Sequence, residues 1–129
     1  MRDAGVRNAG AYSRTHALNL FMLRRSFDHS YRQHVGHVKL RAFYPGAGHT
    51  KDNIVVAIEP AHILFGGCLI KSAENSSMGN IADADVAAWK PSVENVQRWF
   101  PNPKWILPGH GEVGGSELYQ HTEAIVGQR

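Results

Sequence analysis

Apolar and polar positions divide the chain into two textures. Up to about residue 35 they favour no single face. Ala11–Arg25 comes nearest to a helix, with Ala17, Leu18, Leu20, Phe21 and Leu23 around it, and residues 1–12 and 26–35 predict no element. From Val38 the pattern sharpens. Val38-Lys39-Leu40-Arg41-Ala42-Phe43 alternates apolar with polar, the period of a half-buried strand. Tyr44 to Asn53 holds Pro45, Gly46 and Gly48 and reads as a loop. Ile54-Val55-Val56-Ala57-Ile58 is apolar throughout, which predicts a strand buried on both faces. Glu59-Pro60-Ala61 turns the chain, and His62–Phe65 returns as the second strand of a hairpin that ends at Gly66-Gly67.

The second half of the pattern is helical. Residues 71–82 are polar and rich in Gly, Ser and Asn, hence a loop. Asp83 is placed to cap a helix in which Val86, Trp89, Val93, Val96 and Phe100 share one face. Pro91 lies inside that pattern and predicts a kink or a restart, while Pro101 and Pro103 close the helix. Lys104–Leu107 is a short strand, Pro108-Gly109-His110-Gly111 a tight loop, and Ser116 the N-cap of a last helix, Glu117–Val126, stopped by Gly127. The order is β, β-β, α, β, α, without internal repeat: a mixed α/β chain.

Three residues bring chemistry to this frame. His49, Cys68 and His110 each stand in a Gly-bearing loop just after a predicted strand. In layered α/β folds such strand ends converge on one edge, where sites are built. Imidazole and thiolate together suit zinc, and three ligands far apart in sequence fit a catalytic site better than a compact finger. Taken singly, each has a plainer reading: Cys68 as a small buried apolar residue and each His as a surface group. A nucleophilic Cys68 with His49 or His110 as base ranks lower, because no helix N-terminus follows to lower the thiol pKa.

The motifs that hold these residues resemble a known family. Tyr44-Pro45-Gly46-Ala47-Gly48-His49-Thr50, Asp52-Asn53, Phe65-Gly66-Gly67-Cys68, Gly79-Asn80-Ile81-Ala82-Asp83-Ala84-Asp85 and Pro108-Gly109-His110-Gly111 are together similar to the C-terminal half of a metallo-β-lactamase of the subclass with one cysteine zinc ligand. The resemblance covers about residues 38–126. It implies half of a four-layer αββα sandwich, with the N-terminal half missing. It implies that His49 belongs to a three-histidine zinc site, and that Cys68 and His110 are two of three ligands of a second zinc. Lys71 would pair with the substrate carboxylate, and Asn80 would stand near the β-lactam carbonyl as an oxyanion donor. Zinc would supply a hydroxide near neutral pH.

The same resemblance marks what is absent. The family's His-x-His-x-Asp motif has no counterpart; His34-Val35-Gly36-His37 has the wrong spacing, and His29 follows Asp28 out of pattern. The expectation is therefore a truncated, impaired β-lactam hydrolase holding zero or one zinc where the family holds two. The alternative is a non-catalytic remnant or partner-binding domain that keeps one zinc. An apolar sheet face left uncovered would invite self-association.

Composition adds boundaries to this picture. The 129 residues are 43% hydrophobic and 19% charged, as in an ordinary soluble domain. Residues 1–43 hold eight Lys/Arg against two Asp/Glu, and residues 44–129 hold six against nine. The chain thus divides into a basic, unmatched and poorly structured segment, 1–37, and a half-domain, 38–129. The arginines stand singly rather than in a stripe, so no nucleic-acid partner is expected, and no apolar run is long enough for a membrane span. Family members are exported to the periplasm; no secretory signal is legible here, and a single cysteine allows no internal disulfide.

Overall fold

A computed structural model of the chain describes residues 27–128. Five strands form one sheet in chain order: β1 (Ser30–Val35), β2 (Val38–Phe43), β3 (Val55–Glu59), β4 (Ile63–Gly67) and β5 (Trp105–Pro108). The first four pair antiparallel, while β4 and β5 run parallel. A parallel pair needs a crossover, and α1 (Val86–Trp99) supplies it; α2 (Glu117–Val126) follows β5. The mixed α/β expectation holds. The Ala11–Arg25 helix reading lies outside the described residues.

Both helices pack on one side of the sheet. Val55, Ala57, Leu64 and Ile106 meet Trp89, Val93, Val96 and Phe100 from the α1 region and Leu118, Tyr119 and Val126 from α2, all buried. Tyr119 is satisfied there by donating its hydroxyl to the Phe100 carbonyl at 2.8 Å. Burial pushes its phenol far above the ordinary range.

Several local readings are corrected. Residues 30–35, left without an element, form edge strand β1, which pairs with all of β2 through the Gly36-His37 turn. Its side chains are almost wholly exposed, so ladder hydrogen bonds rather than burial hold it, and apolar alternation does not announce it. The cap of α1 is Asp85, not Asp83. The Asp85 N–H bonds the Gly48 carbonyl at 2.8 Å, fixing where the helix begins, and its Oδ1 accepts the Ala88 N–H at 3.1 Å. The helix runs unbroken through Pro91. Proline withholds a donor from the Ala87 carbonyl, but both residues are exposed, so water can serve that group. Helix α2 has the expected bounds, yet Ser116 makes no capping bond. Glu117 instead takes the Gly115 N–H at 2.8 Å.

Strand β3 is buried on one face only. Val55 and Ala57 are sealed beneath the helices, while Val56 and Ile58 are half-exposed on the other side. Strand β2 shows the same asymmetry reversed. Its polar residues Lys39 and Arg41 lie on the helix side, each 2.9 Å from Glu59, and the Arg41 guanidinium stacks 4.7 Å above the Trp99 ring. Of its apolar residues, Val38, Leu40 and Ala42 are therefore on the open side, while Phe43 stacks on Trp99 on the helix side with ring centroids 4.7 Å apart. Among the described residues no second layer covers that side. No described helix is long and apolar enough to cross a membrane.

Candidate metal centre

Because β2 and β4 are both antiparallel to β3, and β5 is parallel to β4, the chain leaves all three at the same sheet edge. His49, Cys68 and His110 stand in the loops that follow. The tightest meeting is between the last two. Cys68 Sγ lies 3.8 Å from His110 Nδ1 across 42 residues of sequence. Two donors on one tetrahedral zinc stand roughly 3.6 Å apart, given Zn–S and Zn–N bonds of about 2.3 and 2.0 Å. The pair therefore fits two ligands of one ion.

Glycine makes this approach possible. Gly109 donates its N–H to the Gly67 carbonyl at 2.8 Å, holding the β5 loop on the end of β4. A Cβ at Gly109 would come within 2.8 Å of Cys68 Sγ and 2.9 Å of the Cys68 nitrogen. Gly111, at φ 93°, takes a backbone conformation that L side chains rarely adopt, so a side chain there would be strained. Its α-carbon leans on Ser72, which is fully buried and whose Oγ has no hydrogen-bond partner.

His49 sits across the site on a loop pinned to α1. Ser92 Oγ donates to the Ala47 carbonyl at 2.6 Å, Asn95 Nδ2 to the Pro45 carbonyl at 2.8 Å, and Asn53 Nδ2 to the Gly46 carbonyl at 2.8 Å. The imidazole meets the Trp89 ring edge-on with centroids 5.5 Å apart, and its buried Nδ1 has no partner. Burial first, then the positive fields of Lys71 and His110, hold its pKa below the usual value, with Asp83 opposing. That favours the neutral imidazole, the form that binds metals. Yet among the described residues no three His, Cys, Asp or Glu side chains gather closely enough to hold one ion. Cys68 and His110 come together, and His49 remains a neighbour.

Lys71 lines the same region. Its Nζ is 5.3 Å from the Trp89 ring centroid, and burial lowers its pKa while the nearby Cys68 raises it. Asn80 is exposed in the following loop, where its Oδ1 accepts the Ala82 N–H at 3.0 Å. Its neighbour Gly79 faces Lys71, since a Cβ there would stand 3.8 Å from Nζ.

The residue that sequence reasoning missed is Trp89, read only as helix core. Its Nε1 donates to the Leu69 carbonyl at 2.8 Å in a buried setting, while its ring touches His49 and Lys71. One helical side chain thus braces both loops. His34 and His37, set aside for their spacing, lie elsewhere, together with His62. His34, His37 and His62 line an open hollow of about 460 Å³ with Lys39, Glu59 and Pro60, at the opposite end of the sheet.

The chain is similar to known proteins in sequence and in fold. The type 2 metallo-β-lactamase of Bacteroides fragilis is 48% identical over 89 residues, 69% of this chain and 36% of its own length. The chain is related to the metallo-β-lactamases. A metallo-β-lactamase from Pontibacter korlensis superposes with a TM-score of 0.82 at 31% identity, covering 92% of this chain and 54% of that one. FIM-1 from Pseudomonas aeruginosa, solved in a mono-zinc form, gives a TM-score of 0.70 at 42% identity, over 81% of this chain and 46% of its own. No protein-family model matches. The chain thus has a metallo-β-lactamase fold over about half the length of its solved neighbours, and spans about a third of the Bacteroides relative.

Proposed function

We propose that this chain is a zinc- and β-lactam-binding segment of the metallo-β-lactamase type, with hydrolysis impaired relative to full-length relatives. The observation that carries the reading is the 3.8 Å approach of Cys68 to His110 on the ends of adjacent parallel strands. Those two side chains would hold one zinc ion, which when bound polarises a carbonyl and lowers the pKa of water. Support for a single ion comes from the solved FIM-1 neighbour, which is described in a mono-zinc form.

The remaining roles belong to side chains of this chain. Lys71, half-buried and held over Trp89, offers an ammonium to a β-lactam carboxylate, where partial burial strengthens the ion pair. Asn80, exposed on the loop that reaches Lys71 through Gly79, offers an amide donor to the lactam carbonyl. His49 completes the polar edge as a neutral imidazole. The second reading is a remnant that keeps the zinc but does not turn substrate over.

Zinc stoichiometry by equilibrium dialysis, joined to a carbapenem hydrolysis assay, tests both. About one zinc per chain, lost in Cys68→Ser, with slow turnover is the expected outcome. One zinc without turnover selects the remnant. No zinc at all, or binding unchanged in Cys68→Ser, overturns the assignment.

A further inference from the structure

The loop that carries His110 is tied at both ends to the segment that carries Cys68. On its near side, Gly109 donates its N–H to the carbonyl of Gly67, one residue before the cysteine. On its far side, Glu112 donates its N–H to Glu74 Oε1 at 3.1 Å, across 38 residues of sequence. Only His110 and Gly111 stand between those two bonds. Gly111 has a φ of 93°, and the freedom that lets glycine take it also lets the loop swing once its far end is loose. The His110 side chain is exposed, so its aim depends on the backbone that carries it.

Glu74 is itself held in place. It lies in a turn closed by the Asn75 N–H on the Ser72 carbonyl at 3.1 Å. Helix α2 fixes that turn on both flanks. Buried Thr122 accepts the Lys71 N–H on its Oγ1 at 2.9 Å and donates to the Leu118 carbonyl at 2.7 Å. His121 Nε2 donates to the Asn75 carbonyl at 2.8 Å. Turn and loop are in close contact: a Cβ at Gly111 would run into Ser72 Oγ and stand 2.5 Å from Glu74 Oε1. The carboxylate thus lies against two consecutive residues of the loop. A backbone N–H bonded to an ionised carboxylate is also stronger than one bonded to a neutral acceptor.

We propose that Glu74 is a positioning residue for His110: its carboxylate, through the Glu112 amide, keeps the imidazole within reach of Cys68. The role of His110 as a metal ligand rests on the zinc reading above, whereas the clasp itself needs no metal. Glu74 raises metal affinity without touching the ion, because the two ligands meet already aimed. Outer residues that orient a ligand change metal affinity by about 10–100-fold, and an exposed carboxylate belongs at the low end of that range.

Two variants of the full 129-residue chain test this. Glu74→Ala removes the acceptor, and Glu74→Gln returns an oxygen to the same amide. Glu74 is exposed, so neither change opens the core. In the metal-free protein, NOEs between the His110 ring protons and the Cys68 β-protons report the approach directly. They are expected in wild type and Glu74→Gln and weaker in Glu74→Ala, where the Glu112 amide exchanges at least about threefold faster. Cobalt titration is expected to show about tenfold weaker binding, with a less intense thiolate charge-transfer band, in Glu74→Ala alone. NOEs and cobalt affinity unchanged in Glu74→Ala overturn the proposal. So does an equal loss in both variants, which traces the effect to charge rather than to the bond. So does a loss spread over the chain, seen as faster amide exchange throughout α2 and the sheet. Wild type that takes up no cobalt overturns the zinc assignment, and the NOE contrast between the two variants then decides the positioning role.

Discussion

Trp89 joins the two loops of the candidate site, and its replacement separates packing from hydrogen bonding. Trp89→Phe keeps most of the ring but leaves the buried Leu69 carbonyl without its donor. That loss costs about 1–3 kcal/mol, read as a lowered urea midpoint, and it frees the loop carrying Lys71. At this scale the sequence placed His49, Cys68 and His110 in loops after strands, and the structure brings Cys68 and His110 within 3.8 Å while His49 stays a neighbour. The sequence was silent about Trp89, Ser92 and Asn95. They share one helix and look like packing or solvent positions, while their hydrogen-bond partners lie 20, 45 and 50 residues away. Gly109 was legible as a loop glycine but not as a contact. Gly109→Ala would press a methyl group onto Cys68 and its backbone, costing about 1–3 kcal/mol and widening the sulfur–imidazole gap. A cobalt titration that shows at least a tenfold weaker affinity, with a thiolate charge-transfer band of reduced intensity, is the expected result.

Elements were legible in proportion to how much apolar pattern they carry. Strands β3 and β4 and helix α2 fall where periodicity and glycine stops place them, since burial under the helices sets their sequence. Strand β1 escaped because it is an edge held by its backbone. The α1 cap slipped by two residues because a tertiary bond from Asp85 to Gly48, invisible in local sequence, decides the start. The β2–β3 pairing carries an electrostatic clamp of Lys39, Arg41 and Glu59. The Lys39 contact first, with Arg41 beside it, holds the Glu59 carboxyl below its ordinary 4.5. A depressed pKa contributes stability that is present above the unfolded value and is lost as pH falls through the folded one. Wild type should therefore melt higher than Glu59→Gln at pH 7, and the difference should close below about pH 4.5. Melting temperatures of both across that range check the sign.

At the scale of the whole molecule, mixed α/β order and the convergence of strand ends followed from the pattern alone. Which side of the sheet the helices take did not. Alternation in β2 reads as apolar-in and polar-out, yet Val38, Leu40 and Ala42 lie on the open side and its charges lie beneath α1 beside Phe43. Alternation fixes that a strand has two unlike faces and leaves open which neighbour each will meet. Among the described residues both helices lie on one side of the five-stranded sheet, so β3, apolar on both faces, is sealed on one of them.

The parallel β4–β5 pair has a further consequence, in the order of folding. Strands β1 and β2, and β3 and β4, close through short turns and β2 and β3 through loop 44–54, whereas Ile63 meets Trp105 only after a 42-residue excursion through α1. Loop closure at that length costs roughly 3 kcal/mol of chain entropy, against roughly 1 for a turn of about four residues. Strand β5 therefore joins late, after the meander it leans on. Cys68 and His110 cannot meet before it does, so under the proposed zinc assignment metal uptake would time the last step of folding.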